Sequence, residues 1–146
     1  MDVIIQLATA FLGSLGYGLI FNVRRSHLIP AALSGLLTWA VYLAAAEVTG
    51  TILLPSILAG GFAAVYAEVL ARIRKAPANQ FLIIGLIPLI PGRTLYYTMS
   101  YGVQGDWLES EWFGIQTIQY ALGIAAGMSL VWALWDMARK IEERRG

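Results

Sequence analysis

Cysteine is absent from this chain, histidine occurs once, and charged residues make up only 13% of its 146 positions. Without cysteine there is no disulfide, no thiolate metal site and no cysteine nucleophile, and a single histidine cannot build a histidine-rich metal site. The sequence contains neither a phosphate-binding glycine loop nor a Ser-His-Asp order. A net charge of +1 provides no basic patch for nucleic acid. We therefore predict a protein that is not an enzyme, binds no metal and no nucleic acid, and has no cofactor.

Long apolar stretches take the place of polar surface, since 58% of the residues are hydrophobic. About 20 apolar residues suffice for a helix to cross the hydrocarbon core of a lipid bilayer. Five stretches, numbered here as spans 1 to 5, reach this length at about residues 3–22, 28–47, 51–71, 80–102 and 112–135. Span 1 is too long for a signal peptide and has no basic leader, so cleavage is not expected. The sequence predicts an all-α integral membrane protein with a single transmembrane domain over residues 1–146.

The positive charges lie at one side of this five-helix topology. Nine of them follow span 1, span 3 or span 5: Arg24, Arg25, Arg72, Arg74, Lys75, Arg139, Lys140, Arg144 and Arg145. Basic residues in short loops stay on the cytoplasmic side of a membrane. The N-terminus is therefore predicted outside and the C-terminus inside. Arg93 is the one basic residue that falls within a span.

Small residues recur inside the spans at intervals that favour close helix packing. The pairs and clusters are Gly123 with Gly127, Gly60 with Ala64, and Gly13, Gly16 and Gly18 in span 1. Small side chains four residues apart allow two helix backbones to approach closely in a membrane. We expect these faces to pack against neighbouring helices, in this chain or in another.

Span 4 is interrupted at Pro88–Gly92, where two prolines are followed by a glycine. Each proline lacks an N–H and clashes with the preceding turn, which should free the carbonyls of Ile84 and Ile87. The glycine tolerates the dihedral angles at which a helix ends. At about 1.5 Å per residue from the inner end of the span, this segment lies roughly 12–18 Å deep, near the middle of the membrane. We predict that the fourth helix breaks there.

A second half-helix is predicted to begin at Arg93 or Thr94 and to run outward. Its free N–H groups and positive dipole end, together with the Arg93 guanidinium, outline an anion site. A charge within a span is costly and usually serves a function. The alternative is a proline kink that only packs against a neighbouring helix, with Arg93 paired to a carboxylate or extended to the membrane surface. The candidate substrate-binding residues are Pro88, Pro91, Gly92, Arg93, Thr94, Tyr97 and Gln116.

Glu68, near the inner end of span 3, is the acidic residue that we consider as a counterpart of Arg93. It precedes Arg72 by one helical turn, so an ion pair along one helix is the simpler interpretation. The alternative is a proton-coupling carboxylate that takes up and releases a proton during function. In span 5, Gln116 and Gln119 share a helix face and contact either a ligand or a neighbouring helix.

The chain contains four segments that share one resemblance: LARIRKAPA at 70–78, FLIIGLIPLIPG at 81–92, LYYTM at 95–99 and QGD at 104–106. They resemble the C-terminal half of threonine/serine exporters of the ThrE type, and the pattern APxxxFLIxGxIPLxPG is the most specific part. The resemblance covers nearly the whole chain. In that family this half also occurs as a separate small subunit of about five spans, beside a larger subunit with a cytosolic region and five further spans.

The resemblance implies a multi-pass protein of the bacterial plasma (inner) membrane that exports threonine or serine by secondary, proton-driven transport. It also implies the second five-span subunit as a partner, with the opposite orientation that inverted-repeat transporters require. Related split pairs are associated with dicarboxylate export, and the family often has a small residue where this chain has Arg93. A succinate-like dicarboxylate is therefore the alternative small carboxylate-bearing metabolite. A membrane scaffold or assembly subunit is the alternative function, and a higher oligomer stays open.

Overall fold

The computed structural model describes residues 2–143, and helix accounts for 89% of the structure. The described residues contain no strand, so the predicted all-α class is confirmed. The elements are α1 (Val3–Ile20), α2 (Arg25–Thr49), α3 (Leu53–Arg74), α4 (Ala78–Leu86), a 3-10 turn (Ile87–Leu89), α5 (Gly92–Gln104) and α6 (Trp107–Glu143).

Within the described part of the chain, α1, α2, α3 and α6 are each long and apolar enough to cross a membrane. Taken together, Ala78–Leu89 and Gly92–Gln104 are long and apolar enough to form one further span, with a bend of 52° between the two parts. The chain therefore has up to five membrane-crossing segments, and the fourth is broken as predicted. The orientation of these segments stays a prediction. Two of the cations on which it rests, Arg144 and Arg145, lie outside the described residues.

Helix α6 is longer than the apolar run that predicted it. It begins at Trp107 rather than near residue 112, and it continues past residue 135 to Glu143. At its start the carboxylate of Asp106 accepts the backbone N–H of Glu109 at 3.4 Å, which satisfies one of the free donors of the first turn. Hydropathy marks only the part of a helix that lies in the membrane, so these polar ends were missed.

Glycine ends two of the helices. Gly50 after α2 and Gly105 after α5 have φ angles of 61° and 80°, in the left-handed region that glycine adopts without a Cβ clash. The Gly50 N–H donates to the carbonyl of Ala46 at 2.9 Å, and that of Gly105 to Gly102 at 3.2 Å. These tight ends lead directly into α3 and α6, so each helix packs beside the one that follows it.

The buried core lies where α4 inserts between α2 and α3. Phe81 and Ile84 of α4 have almost no exposed surface, and they pack with small side chains such as Ala31 of α2 and Ala63 and Ala67 of α3. The alanines let α4 approach both neighbours closely. By contrast, no residue of α5 is buried. The two halves of the broken span therefore have different surroundings, one inside the helix bundle and one at its edge.

Helices α3 and α6 pack through glycine, as the spacing of small residues predicts. A Cβ on Gly60 would lie 3.0 Å from the Cα of Ile124, and a Cβ on Gly127 would meet the carbonyl of Ile57. The two backbones are therefore in direct contact, with no room for a side chain between them. In α1 the prediction holds for one glycine of three: a Cβ on Gly18 would lie 2.6 Å from the side chain of Leu28, whereas a Cβ on Gly13 or on Gly16 would meet nothing within 4 Å.

The break in the fourth span differs from the prediction in two details. Helix α4 already ends at Leu86, and α5 begins at Gly92 rather than at Arg93 or Thr94. The carbonyls that the prolines release also find new donors. That of Ile84 accepts the Ser14 hydroxyl at 3.3 Å and the N–H of Ile87, and that of Ile87 accepts the N–H of Ile90 at 3.3 Å. Unsatisfied carbonyls are costly away from water, so the neighbouring helix and the 3-10 turn replace the lost bonds.

Candidate functional site

The break in span 4 opens onto a groove of about 650 Å³ between α1, α2, α5 and α6. Its volume falls in the range of about 300–1,000 Å³ that small-molecule sites occupy. The lining residues are Gln6, Trp39, Pro88, Leu89, Ile90, Pro91, Arg93, Thr94, Phe113, Gln116 and Tyr120. We call this space the central groove. A smaller groove of about 250 Å³ adjoins it and shares Gln6, Trp39 and Pro88.

Arg93 is the one charged residue in the described lining of the central groove. Its guanidinium carbon lies 5.7 Å from the ring centre of Tyr97, within the distance at which a cation is attracted to an aromatic face. Tyr97 is itself held by Phe113 of α6, at 5.1 Å between ring centres. Within residues 2–143 no carboxylate reaches Arg93. Its positive charge is therefore available to a ligand.

The first turn of α5 adds backbone donors beside this guanidinium. The N–H of Gly92 donates to the Ile90 carbonyl at 2.7 Å, and that of Leu95 to the Pro91 carbonyl at 3.0 Å. For the N–H groups of Arg93 and Thr94, the described residues supply no acceptor. Free N–H groups and a positive dipole end favour an anion at a helix N-terminus. The same end of the groove thus combines a full positive charge with unpaired donors.

A pair of threonines fixes this end of α5 against α6. The Thr94 hydroxyl donates to the Pro91 carbonyl at 3.2 Å. The Thr117 hydroxyl of α6 lies 2.9 Å from the Thr94 hydroxyl. A turn further along α5, the Ser110 hydroxyl donates to the Thr98 carbonyl at 2.8 Å. These bonds tie the half-helix to α6, so the first turn of α5 keeps its position beside the groove.

Another part of the groove lining is aromatic and uncharged. The Trp39 indole N–H donates to the side-chain oxygen of Gln6 at 3.3 Å, and the indole stacks on Tyr42 with ring centres 5.0 Å apart. The hydroxyls of Tyr42 and Tyr120 are 2.7 Å apart. Side chains from α1, α2 and α6 are thereby linked into one wall, which we call the aromatic wall and define as Gln6, Trp39, Tyr42 and Tyr120.

The structure brings most of the predicted site residues together. Five of them line the central groove: Pro88, Pro91, Arg93, Thr94 and Gln116. Tyr97 lies beside the groove, against the Arg93 guanidinium. A Cβ on Gly92 would meet nothing within 4 Å, so this glycine serves the turn into α5 rather than a close packing contact.

Glu68 lies away from the central groove and has a different partner from the predicted one. Its carboxylate is 3.9 Å from the guanidinium of Arg139 on α6. Arg72 places its guanidinium carbon 4.4 Å over the ring of Trp135 instead. The expected pair of Glu68 with Arg72 along one helix is therefore wrong, because α6 packs against this end of α3 and provides a different partner for each side chain.

The sequence interpretation did not predict three residues that line the groove: Gln6, Trp39 and Tyr120. Two signals were present. Gln6 is a polar residue within an apolar span, and Trp39 lies in the middle of span 2 rather than at its ends, where interfacial tryptophans are expected. Tyr120 had no such signal, since tyrosine is common in membrane helices.

A comparison with protein families gives one match. The family model described as Threonine/Serine exporter, ThrE, matches residues 6–134, a range that contains every residue lining the central groove. Neither a curated protein nor a solved structure matches the chain.

Proposed function

The chain belongs to the threonine/serine exporter family, whose members are membrane transporters, and we propose that it is a subunit that exports threonine or serine through the central groove. The observation that carries this proposal is the single guanidinium of Arg93 beside the free N–H groups of α5. An amino acid presents one carboxylate, which this end of the groove suits. Several transporter folds place such a site at a broken span, because polar backbone at membrane depth is tolerated only beside protein or water.

The groove favours an amino acid over a dicarboxylate. A second carboxylate would have to lie against the aromatic wall, where the described lining holds no cation. Burying a charge without a counter-charge or strong donors is unfavourable. A succinate-like substrate therefore remains the alternative that the transport experiment must exclude.

Substrate identity is tested in proteoliposomes that contain the chain and its partner subunit and are loaded with threonine, serine or succinate. Under an imposed proton gradient we expect threonine and serine to leave faster than succinate, because each amino acid has one carboxylate for Arg93 and no second carboxylate that would need another cation. Liposomes without protein give the background rate. Efflux of succinate alone would reject the amino-acid proposal, and no efflux above background for any of the three would reject export of these substrates.

We propose that the partner covers the outer face of α5. Helix α5 packs against α6, and its other side carries a shallow groove of about 440 Å³ lined by Tyr96, Met99, Ser100, Val103 and Gln104. Polar side chains at membrane depth need protein or water beside them. A second five-span subunit with a cytosolic region and the opposite orientation would supply that protein and complete an inverted pair. We place the complex in the bacterial plasma membrane.

Glu68 is the residue that we propose for proton coupling, since its carboxylate is the acidic group on α3, with 20% of its side chain exposed. Changing Glu68→Gln keeps the shape but removes the titratable group. We expect efflux from Glu68→Gln to lose its dependence on an imposed proton gradient, measured as the ratio of serine efflux with and without that gradient. The physical reason is that a side chain without a proton to exchange cannot respond to the proton concentration.

Arg139→Gln is the matched control, because it breaks the same ion pair and leaves the carboxylate in place. It should retain the response to the proton gradient. Equal behaviour of the two variants would show that the ion pair only holds α3 and α6 together and that Glu68 does not couple transport to protons.

A further inference from the structure

We infer that the aromatic wall is the subsite for the substrate's ammonium group, so that Gln6, Trp39 and Tyr120 distinguish an amino acid from the corresponding hydroxy acid. This inference rests on the proposed function and extends it from the carboxylate of the substrate to its ammonium group. Gln6 and Trp39 also line the smaller adjoining groove, whereas Arg93 does not. Gln6, Trp39 and Tyr120 line the same groove as Arg93. The carboxylate and the ammonium group of an amino acid share one carbon, so the proposed ammonium subsite must lie beside the guanidinium in that groove.

The chemistry of this wall suits a small cation that must bind and leave again. The side-chain oxygen of Gln6 and the hydroxyl of Tyr120 are hydrogen-bond acceptors, and tryptophan has the aromatic face that attracts an ammonium group most strongly. The described lining of the groove contains no carboxylate. An acid would hold the ammonium tightly, while neutral acceptors and an aromatic face bind it weakly enough for release.

The wall is held in place before a substrate arrives. The bond from Trp39 to Gln6 and the stacking on Tyr42 fix the plane of the indole, at an angle of 17° between the two rings. The hydroxyl pair of Tyr42 and Tyr120 then joins α2 to α6 at 2.7 Å. Side chains ordered in this way lose little further freedom on binding, which favours a specific site.

Serine and glycerate are the matched probes, since glycerate carries a hydroxyl where serine carries its ammonium group. Exchange of labelled serine and of labelled glycerate is measured in proteoliposomes of the chain with its partner subunit, with the membrane potential held at zero. We expect the wild type to prefer serine. Trp39→Leu should lower this preference about tenfold while glycerate exchange is retained, because one cation–aromatic contact is lost.

Three further variants separate recognition from packing. Trp39→Phe keeps an aromatic face without the bond to Gln6 and should retain most of the preference for serine. Trp132→Leu changes an exposed tryptophan outside the groove and should leave the preference unchanged. Where Trp39→Leu fails to reach the membrane, Gln6→Leu serves in its place, with a lower preference for serine as the expected result.

The outcomes are distinct. If the wild type exchanges glycerate at the same rate as serine, the ammonium subsite is overturned and the proposed export function still stands. Equal loss of both probes in Trp39→Leu and in Gln6→Leu also overturns it, since the wall then only supports the helices. A wild type that exchanges neither serine nor threonine removes the proposed function, and the subsite with it.

Discussion

Replacing Arg93 by leucine is expected to lower the efflux of threonine and serine roughly tenfold to a hundredfold without reducing the amount of protein in the membrane. Hydrogen bonds to a charged group contribute about 1.5–3 kcal/mol, and each 1.4 kcal/mol corresponds to about a tenfold change in binding. The protein should still fold, because the Arg93 side chain is exposed and its contact within residues 2–143 is the Tyr97 ring at 5.7 Å. Efflux from preloaded cells and the level of the chain in isolated membranes measure the two quantities.

Two variants serve as controls for this result. Arg93→Lys keeps the positive charge but loses the planar, two-pronged donor, so it should retain part of the efflux. Arg74→Gln removes an exposed arginine at the end of α3, away from the central groove, and should transport normally. Efflux from Arg93→Leu that equals the wild type would remove the guanidinium from the site, and the proline break would then be a packing feature.

The anion end of the groove could be predicted because its parts are neighbours in the sequence. Pro88, Pro91, Arg93 and Thr94 lie within a few residues, and each has a local physical effect on the helix that contains it. The ring of Tyr97 follows Arg93 by one helical turn, so its contact with the guanidinium was also accessible from spacing. A charge and two prolines within one apolar run were enough to locate that end of the site.

The aromatic wall could not be predicted in the same way, since its members come from three helices far apart in the chain. The bonds of Gln6 with Trp39 and of Tyr42 with Tyr120 depend on how α1, α2 and α6 pack. The partner of Glu68 has the same origin, because the spacing along α3 says nothing about Arg139 on α6. Sequence periodicity predicts helices and the faces that carry small residues. It does not predict which helices pack against each other.

Gly127→Ala is expected to destabilise the chain by about 1–3 kcal/mol, because it adds a carbon to the tightly packed contact between α3 and α6. The new Cβ would meet the carbonyl of Ile57 and would lie 2.8 Å from the backbone nitrogen of Gly61. Neither group is the end of a flexible side chain, so the two helices must move apart. The melting temperature in detergent and the level of folded protein in membranes measure the loss.

Gly13→Ala in α1 is the matched control, because its Cβ would meet nothing within 4 Å. Both substitutions replace glycine by alanine inside a helix and gain a similar helix propensity, about 1 kcal/mol. The difference between them therefore isolates the contact of α6 with α3. Gly13→Ala should be neutral or stabilising. Equal melting temperatures for the two variants would mean that α3 and α6 do not approach to backbone contact, and the position of Tyr120 in the aromatic wall, which depends on the same helix, would have to be revised.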